Sequence, residues 1–439
     1  SGRQVEFSIG YRNSDGAFGK SASGDDAYHY SVNIYRPFKK LWAWEASGRV
    51  YNRDGPIMVQ PDISNIREQR HRFDRNFRVG VRRHNDDQTA SNGLYFRHHR
   101  ESSNLSGPYS VKLNRKGYSL KATRQVLSGK RMYKAIIEGD YKRFDDQGVT
   151  ASRHSGKASV SIADLTEGWH YSLRTGVHWV EMHGALPLAA LMLTRQSKLA
   201  LFVISAGYSQ RAPSLYEIYL SPRSGTLYNI GANNYSDRGN RSLEPEKQLT
   251  GTALMRLGGK RLAAEVTITG GQLRDGIDWI PEIVDDPGLV KSADFVPRNG
   301  NVEFADIALR PSLSITDFFR LLAGGSYHWV TYDNFETRPY TPEYQAFAGG
   351  EIHLSWPQKQ IELYGYSEVT YTGPYVGYFQ AQTGLGEDPI INAKASFRMG
   401  NFRFHFLWQN VLNRIYQSRE DFSYLGRFTS YGFVWDFLN

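Results

Sequence analysis

Cysteine is absent from the 439 residues. A disulfide framework, a thiolate metal site and a cysteine nucleophile are excluded with it. No apolar run approaches the roughly 18 residues of a transmembrane helix, and mean hydropathy is −0.52. A membrane-spanning helix is therefore excluded. A β-barrel is not, because its strands show only alternate residues to lipid and average out as polar. Helical patterning is nearly missing too: only "PSLYEIYL" (213–220) has room for a turn or two. The chain has no basic block of five or more, which argues against a nucleic-acid tail. It opens without a signal peptide, as a cytosolic or an already mature chain would.

Aromatics are abundant at 14%, with 28 tyrosines, while apolar residues reach only 40%. Their spacing is period two. In "VEFSIGYRN", Val5, Phe7, Ile9 and Tyr11 alternate with Glu6, Ser8, Gly10 and Arg12. "YHYSVNIYRP", "WHYSLRTGVHWVE" and "FRFHFLWQN" repeat the pattern, with Leu407 the one apolar residue out of phase in the last. Such alternation makes strands with one apolar and one polar face.

The connections alternate as well. Tiny ones fall at 37–40, 127–130, 166–168, 196–198, 258–260, 316–317, 357–359 and 400–401. Long polar ones lie between them, at 12–26, 52–70, 212–246, 281–298, 373–388 and 414–426. Short turns at one end and long loops at the other are the asymmetry of an outer-membrane barrel, with the short turns and both chain ends in the periplasm. The expected fold is all-β: one transmembrane antiparallel β-barrel of about 20–22 strands spanning residues 1–439. The region 102–126 is ambiguous and has room for another hairpin. A propeller or β-solenoid is the soluble alternative, but the chain has no repeat of blade length.

Three segments resemble the TonB-dependent outer-membrane receptor family. "YSQRAPSLYEIYL" is similar to the family's strand-to-loop motif, with Arg211, Ala212, Pro213, Ser214, Leu215, Glu217 and Tyr219 in place. "GNRSLEPEK" (239–247) is similar to the segment that follows it. "QNVLNRIYQ" and then "GRFTSYGFVWDF" are similar to the last two strands, through Asn410, Leu412, Asn413, Tyr416, Gly426 and Arg427. The motifs cover 199–439; the first half matches only in style. The resemblance implies a barrel wall in the bacterial outer membrane, in contact with lipid and lipopolysaccharide, that takes up a scarce solute. A siderophore-type iron chelate comes first and cobalamin second. It also places Arg211, Pro213, Glu217 and Tyr219 near plug and ligand. Family members carry an N-terminal plug and a segment contacting TonB. Here a strand begins near Arg3, so no plug domain is expected in this chain, and TonB coupling is not credited to it alone. The alternative function is a plug-less barrel serving as scaffold or conduit in a larger outer-membrane assembly.

Chemistry offers less. His98 and His99 are adjacent on a strand, so they point to opposite faces and cannot easily share a metal. No G-x-S-x-G marks a serine nucleophile. Asp145-Asp146 and Asp285-Asp286 read as solvated loop residues. No catalytic, cofactor-binding or metal residue is assigned, and the chain is read as a non-enzyme. Net charge is +9, from 53 basic and 44 acidic residues; solubility is the plain reading of the excess, and a nucleic acid, an anionic solute or phosphate-rich lipid are the sharper ones. Arg174, Lys394, Arg398, Arg403 and His405 fall opposite the apolar rows and so into a lumen. They favour anionic solutes or an acidic plug, with Glu6, Glu45 and Glu362 sharing the same wall. The ending "SYGFVWDFLN" resembles the sorting signal read by the barrel-insertion machinery, through Gly432, Trp435 and Phe437, although it adds Leu438 and Asn439. As the closing strand it must pair with "VEFSIGYRN" to leave no open edge.

Overall fold

The computed structural model describes residues 4–14, 25–39, 41–56, 69–87, 89–106, 111–146, 148–164, 168–220, 228–230, 233–259, 261–284, 292–335, 339–377, 386, 389–414, 417–419, 422–423 and 426–435. Eleven strands come first: β1 (Gln4–Ser14), β2 (Asp25–Lys39), β3 (Trp42–Pro56), β4 (Gln69–His84), β5 (Ala90–Ser106), β6 (Val111–Ser128), β7 (Arg131–Asp146), β8 (Val149–Asp164), β9 (Trp169–Val180), β10 (Gly184–Gln196) and β11 (Ala200–Arg211). The next connection holds the helix α1 (Leu215–Tyr219) and two short strands, β12 (Tyr228–Ile230) and β13 (Asn233–Asp237). Then follow β14 (Glu246–Gly258), β15 (Leu262–Val284), β16 (Ser292–Ser314), β17 (Phe319–Tyr332), β18 (Tyr344–Trp356), β19 (Ile361–Thr372), β20 (Ile390–Met399) and β21 (Phe402–Gln409). The small pair β22 (Gln417–Arg419) and β23 (Phe422–Ser423) precedes the final strand, β24 (Phe428–Trp435).

Each stave is antiparallel to the next, β11 pairs with β14, and β21 pairs with β24. Of the 22 strands in the sheet, β12 and β13 belong to a loop, leaving 20 staves. The cylinder closes where β24 meets β1, with Ser8 opposite Val434 and Gly10 opposite Gly432. Closure is what lipid demands, since an open edge there would leave backbone groups without partners.

The two faces separate cleanly. Leu94, Leu120, Ile137 and Val160 stand outward and are more than half exposed. Residues of opposite parity form ion pairs across the strands of the lumen wall: Glu45 with Arg78 and Arg82, Glu101 with Arg72 and Arg115, Arg256 with Glu265, Arg320 with Glu351. On β21 and β24 the outward row is aromatic. Phe404 lies opposite Phe433 and Phe406 opposite Tyr431, and the Phe406 and Trp408 rings stack at 5.3 Å. Leu407 belongs to the lumen face, in register with Lys394.

Several sequence expectations need correction. The span 281–298 is not a long loop: β15 and β16 stay paired out to Val284 and Ser292, past a bulge between Leu273 and Gly276. The loop end of the barrel also has short connections, because the hairpins are long: four residues separate β5 from β6, two separate β7 from β8, and three separate β9 from β10. In the ambiguous region 102–126 the described residues belong to β5 and β6, which pair directly with each other. Asp146 is 1% exposed rather than solvated. Asp285, Asp286 and Phe437 lie outside the described residues.

The facing can be tested with one pair of variants. Leu120→Arg puts a charge on the lipid face and should cost about 2–4 kcal/mol. Ser119→Arg, one residue away on the lumen wall, should cost much less. Urea unfolding from liposomes measures both.

Candidate ligand-facing site at the barrel mouth

The chain leaves β11 at Arg211, on the end opposite the tight turns, and folds back over the lumen wall. Pro213 ends the ladder, having no N–H to give it. Ser214 then caps α1: its hydroxyl accepts from the Glu217 amide at 3.2 Å, and the Glu217 carboxylate accepts from the Ser214 amide. This is a reciprocal capping box, and its S-x-x-E spacing is visible in the sequence.

Arg211 joins the first two motifs. Its guanidinium donates both Nη groups to Glu217, at 3.1 and 3.2 Å, and Nε to Glu246. Glu246 belongs to "GNRSLEPEK", so both ends of the 212–245 connection are clasped by one arginine. The returning chain packs closely on α1. The Gly239 amide donates to the Leu220 carbonyl and the Asn240 amide to the Glu217 carbonyl, each at 2.8 Å. A Cβ on Gly239 would lie 2.6 Å from the Ile218 carbonyl oxygen, so no larger residue fits there without moving backbone. Leu243 is buried below.

The inner surface of α1 rests on β7 and β8. Leu215, Leu220 and Phe144 form a buried cluster, and Arg153 on β8 donates to the Pro213 carbonyl. Tyr216 meets Phe144 edge-on at 6.1 Å and Trp279 of β15 at 5.4 Å, with the Arg115 guanidinium 5.0 Å above its ring. Tyr219 lies under Arg241, its hydroxyl 3.5 Å from the Met182 sulfur. Between α1 and the lumen face of β5–β8 lies a cavity of about 520 Å³, lined by Arg97, Arg115, Arg153, Tyr216 and Trp279 among others.

Its acids are already engaged: Glu217 by Arg211, Glu138 by Lys121, Glu101 by Arg72 and Arg115. Among the described residues Arg97 meets only the Asn76 side-chain oxygen, at 3.1 Å. Arg153 is 9% exposed, and its Nε has no partner among the described residues. The cavity thus offers cations and aromatic rings together.

The other expected residues lie elsewhere. Arg174 is on β9, opposite Ala190 and Ser161. Lys394, Arg398 and Arg403 occupy β20 and β21, with Arg398 and Arg403 directly opposed and Glu362 3.6 Å from Arg398. These four do not form one site with α1. The third motif is a turn: Asn410 and Asn413 take positive φ, and the Asn410 side chain bonds both the amide and the carbonyl of Arg414. Gly432 leaves room for the His405 ring, which a Cβ would approach to 2.7 Å. Among the described residues no group of three or more histidines and carboxylates could hold a metal ion. Sequence reading missed Arg97, Arg115, Phe144, Arg153 and Trp279, which only the register of distant strands brings together.

With that geometry in view, solved structures match the whole barrel. The siderophore receptor PirA from Pseudomonas aeruginosa superposes at a TM-score of 0.66 over 99% of this chain and 81% of its own, at 11% identity. The fold is that of the siderophore-receptor barrel. Its relatives in shape include the ferric enterobactin receptor PfeA of the same organism, at 0.65, 11% identity, 99% of this chain and 81% of that one. They also include the copper transporter OprC, at 0.73, 11% identity, 99% and 83%. No protein-family model and no curated protein matches the sequence. A receptor-type barrel of this size, with an apolar aromatic exterior, belongs in a bacterial outer membrane.

The clasp predicts a pH response. Burial alone would raise the Glu217 carboxyl, but the Arg211 guanidinium and Ser214 hold it below the usual carboxylate range. A depressed carboxylate contributes stability that is present above its unfolded pKa of about 4.3 and is lost as pH falls through the folded value. Hydrogen-exchange protection of α1, corrected for intrinsic rate, should therefore fall below about pH 4. Glu217→Gln should start lower and lose that dependence.

Proposed function

We propose that this barrel is the wall of an outer-membrane nutrient receptor that admits a scarce anionic solute, a ferric siderophore chelate, through the cavity beneath α1. Arg97 is the observation that carries the reading: a lumen-facing guanidinium with no carboxylate partner among the described residues, beside Arg115 and the rings of Tyr216 and Trp279. An anionic chelate with flat metal-binding arms pairs with guanidinium groups and stacks on aromatic faces. A large solute without net negative charge, such as cobalamin, gains nothing from those cations and stands second. Structural neighbours named as siderophore receptors and a copper transporter support uptake as the class of function. In this reading Arg211, Pro213, Glu217 and Tyr219 hold the α1 wall of the cavity and do not touch solute. Passage through the lumen belongs to a plug domain coupled to TonB, as the family resemblance implies.

Titration of purified protein with ferric enterobactin and with cyanocobalamin, read by tryptophan fluorescence, tests the proposal. Binding of the ferric chelate alone, weakened about tenfold or more in the Arg97→Gln/Arg115→Gln double variant, is expected. Equal binding by the variant, or preference for cyanocobalamin, would contradict it.

A further inference from the structure

The outer face of β4–β7 carries a row of charge that solute uptake does not use. Cross-strand register sets Arg75 opposite Arg100, Arg100 opposite Lys116 and Lys116 opposite Arg143. All four share the parity of the lipid-facing Phe77, Phe96, Tyr118 and Ile137. Neighbouring strands lie about 4.8 Å apart, so the row is about 14 Å wide. Like charges directly opposed across strands destabilise a sheet. Arg143 has a carboxylate nearby, Asp145 at 2.9 Å. Among the described residues Arg75 and Arg100 have no ion-pair partner, and Lys116 has only a longer-range attraction to that same Asp145. The lumen face of the same strands does the opposite, pairing Arg72, Arg78, Arg82 and Arg115 with carboxylates.

The height of the row gives it meaning. Two residues nearer the tight turns, Phe77, His98, Tyr118, Tyr141 and His154 stand in register as an aromatic girdle. Within it His98 stacks on Tyr118 at 4.9 Å, and Tyr141 lies 5.0 Å from His154. Eight residues from the cation row, toward the tight turns, Arg83, Asn92 and Arg124 form a second polar row, also in register. Eight residues span about 26 Å along a strand, or about 20 Å along the membrane normal at a tilt near 40°. The outward residues between the two rows include Val79, Val81, Leu94, Leu120 and Ile137. The unpaired cations thus sit at the upper edge of the apolar band, at the headgroup level of the outer leaflet.

We propose that Arg75, Arg100 and Lys116, flanked by Arg143, bind the phosphates of a lipopolysaccharide molecule. The outer leaflet is built from this lipid, whose phosphorylated sugars lie at that level. The row replaces the divalent cations that otherwise neutralise those phosphates, while the acyl chains lie along Leu94, Leu120 and Ile137. Arg115 stacks on Tyr216 in the mouth cavity, whereas Lys116 has the opposite parity along β6; Lys116 and Arg143 also border that cavity.

Native mass spectrometry of the protein in detergent, titrated with bisphosphorylated lipid A, with its dephosphorylated form and with phosphatidylglycerol, tests the site. The expected result is binding of bisphosphorylated lipid A in preference to both others. The Arg75→Gln/Arg100→Gln/Lys116→Gln variant should weaken it by at least about tenfold. The control variant Lys121→Gln, on the lumen face, should bind lipid A as the parent does, and the circular dichroism of both variants should stay that of a barrel. Unchanged lipid A affinity in the triple variant, or phosphatidylglycerol bound as tightly as lipid A, would overturn the proposal.

Discussion

A chain segment inside hydrocarbon has no water to satisfy its backbone, so every N–H and C=O must find a partner in the sheet. That requirement shapes this molecule more than any side chain does. It makes the pairing of β24 with β1 obligatory, and the seam at Ser8–Val434 and Gly10–Gly432 meets it. Closure in turn fixes which parity of each strand meets lipid. The exposed Leu120 and Ile137 and the inward Glu101 and Glu138 are two consequences of one register.

Much of this was legible in the sequence. Alternation in "WHYSLRTGVHWVE" places Trp169, Leu173, Val177 and Trp179 on one face, and all four are exposed on the outside. Alternation reports parity but not contact. Nothing local to Arg97, Phe144, Arg153 or Trp279 says that they surround one cavity, because the register of separate hairpins and the fold-back of residues 212–245 decide it. The same limit hid the extensions of β15 and β16, whose proline-bearing ends read as loop while Pro281 stays paired with Phe295. Neutralisation inside the lumen was equally out of reach: the basic residues could be counted, but Glu45 bridging Arg78 and Arg82 depends on which strands are neighbours.

The family-like motifs make structural contacts. Arg211 ties Glu217 to Glu246, Gly239 lets the returning chain touch α1, and Asn410 and Asn413 shape the turn before the last stave. None of them lines the cavity as a cation; they hold the surface that does. The mouth's architecture thus rests on these contacts, while the residues around the cavity sit on β5–β8. A shared barrel at 11% identity to receptors for different solutes is consistent with that division.

The absence of cysteine makes closure directly measurable. A Ser8→Cys/Val434→Cys variant carries the chain's only two thiols, at directly opposed positions of β1 and β24. Oxidation in isolated outer membranes should yield an intramolecular disulfide, seen as a mobility shift on a non-reducing gel. The one-residue-slipped pair Ser8→Cys/Phe433→Cys should stay reduced. A disulfide between two molecules, or one that forms only in the slipped pair, would contradict the closed barrel on which the rest depends.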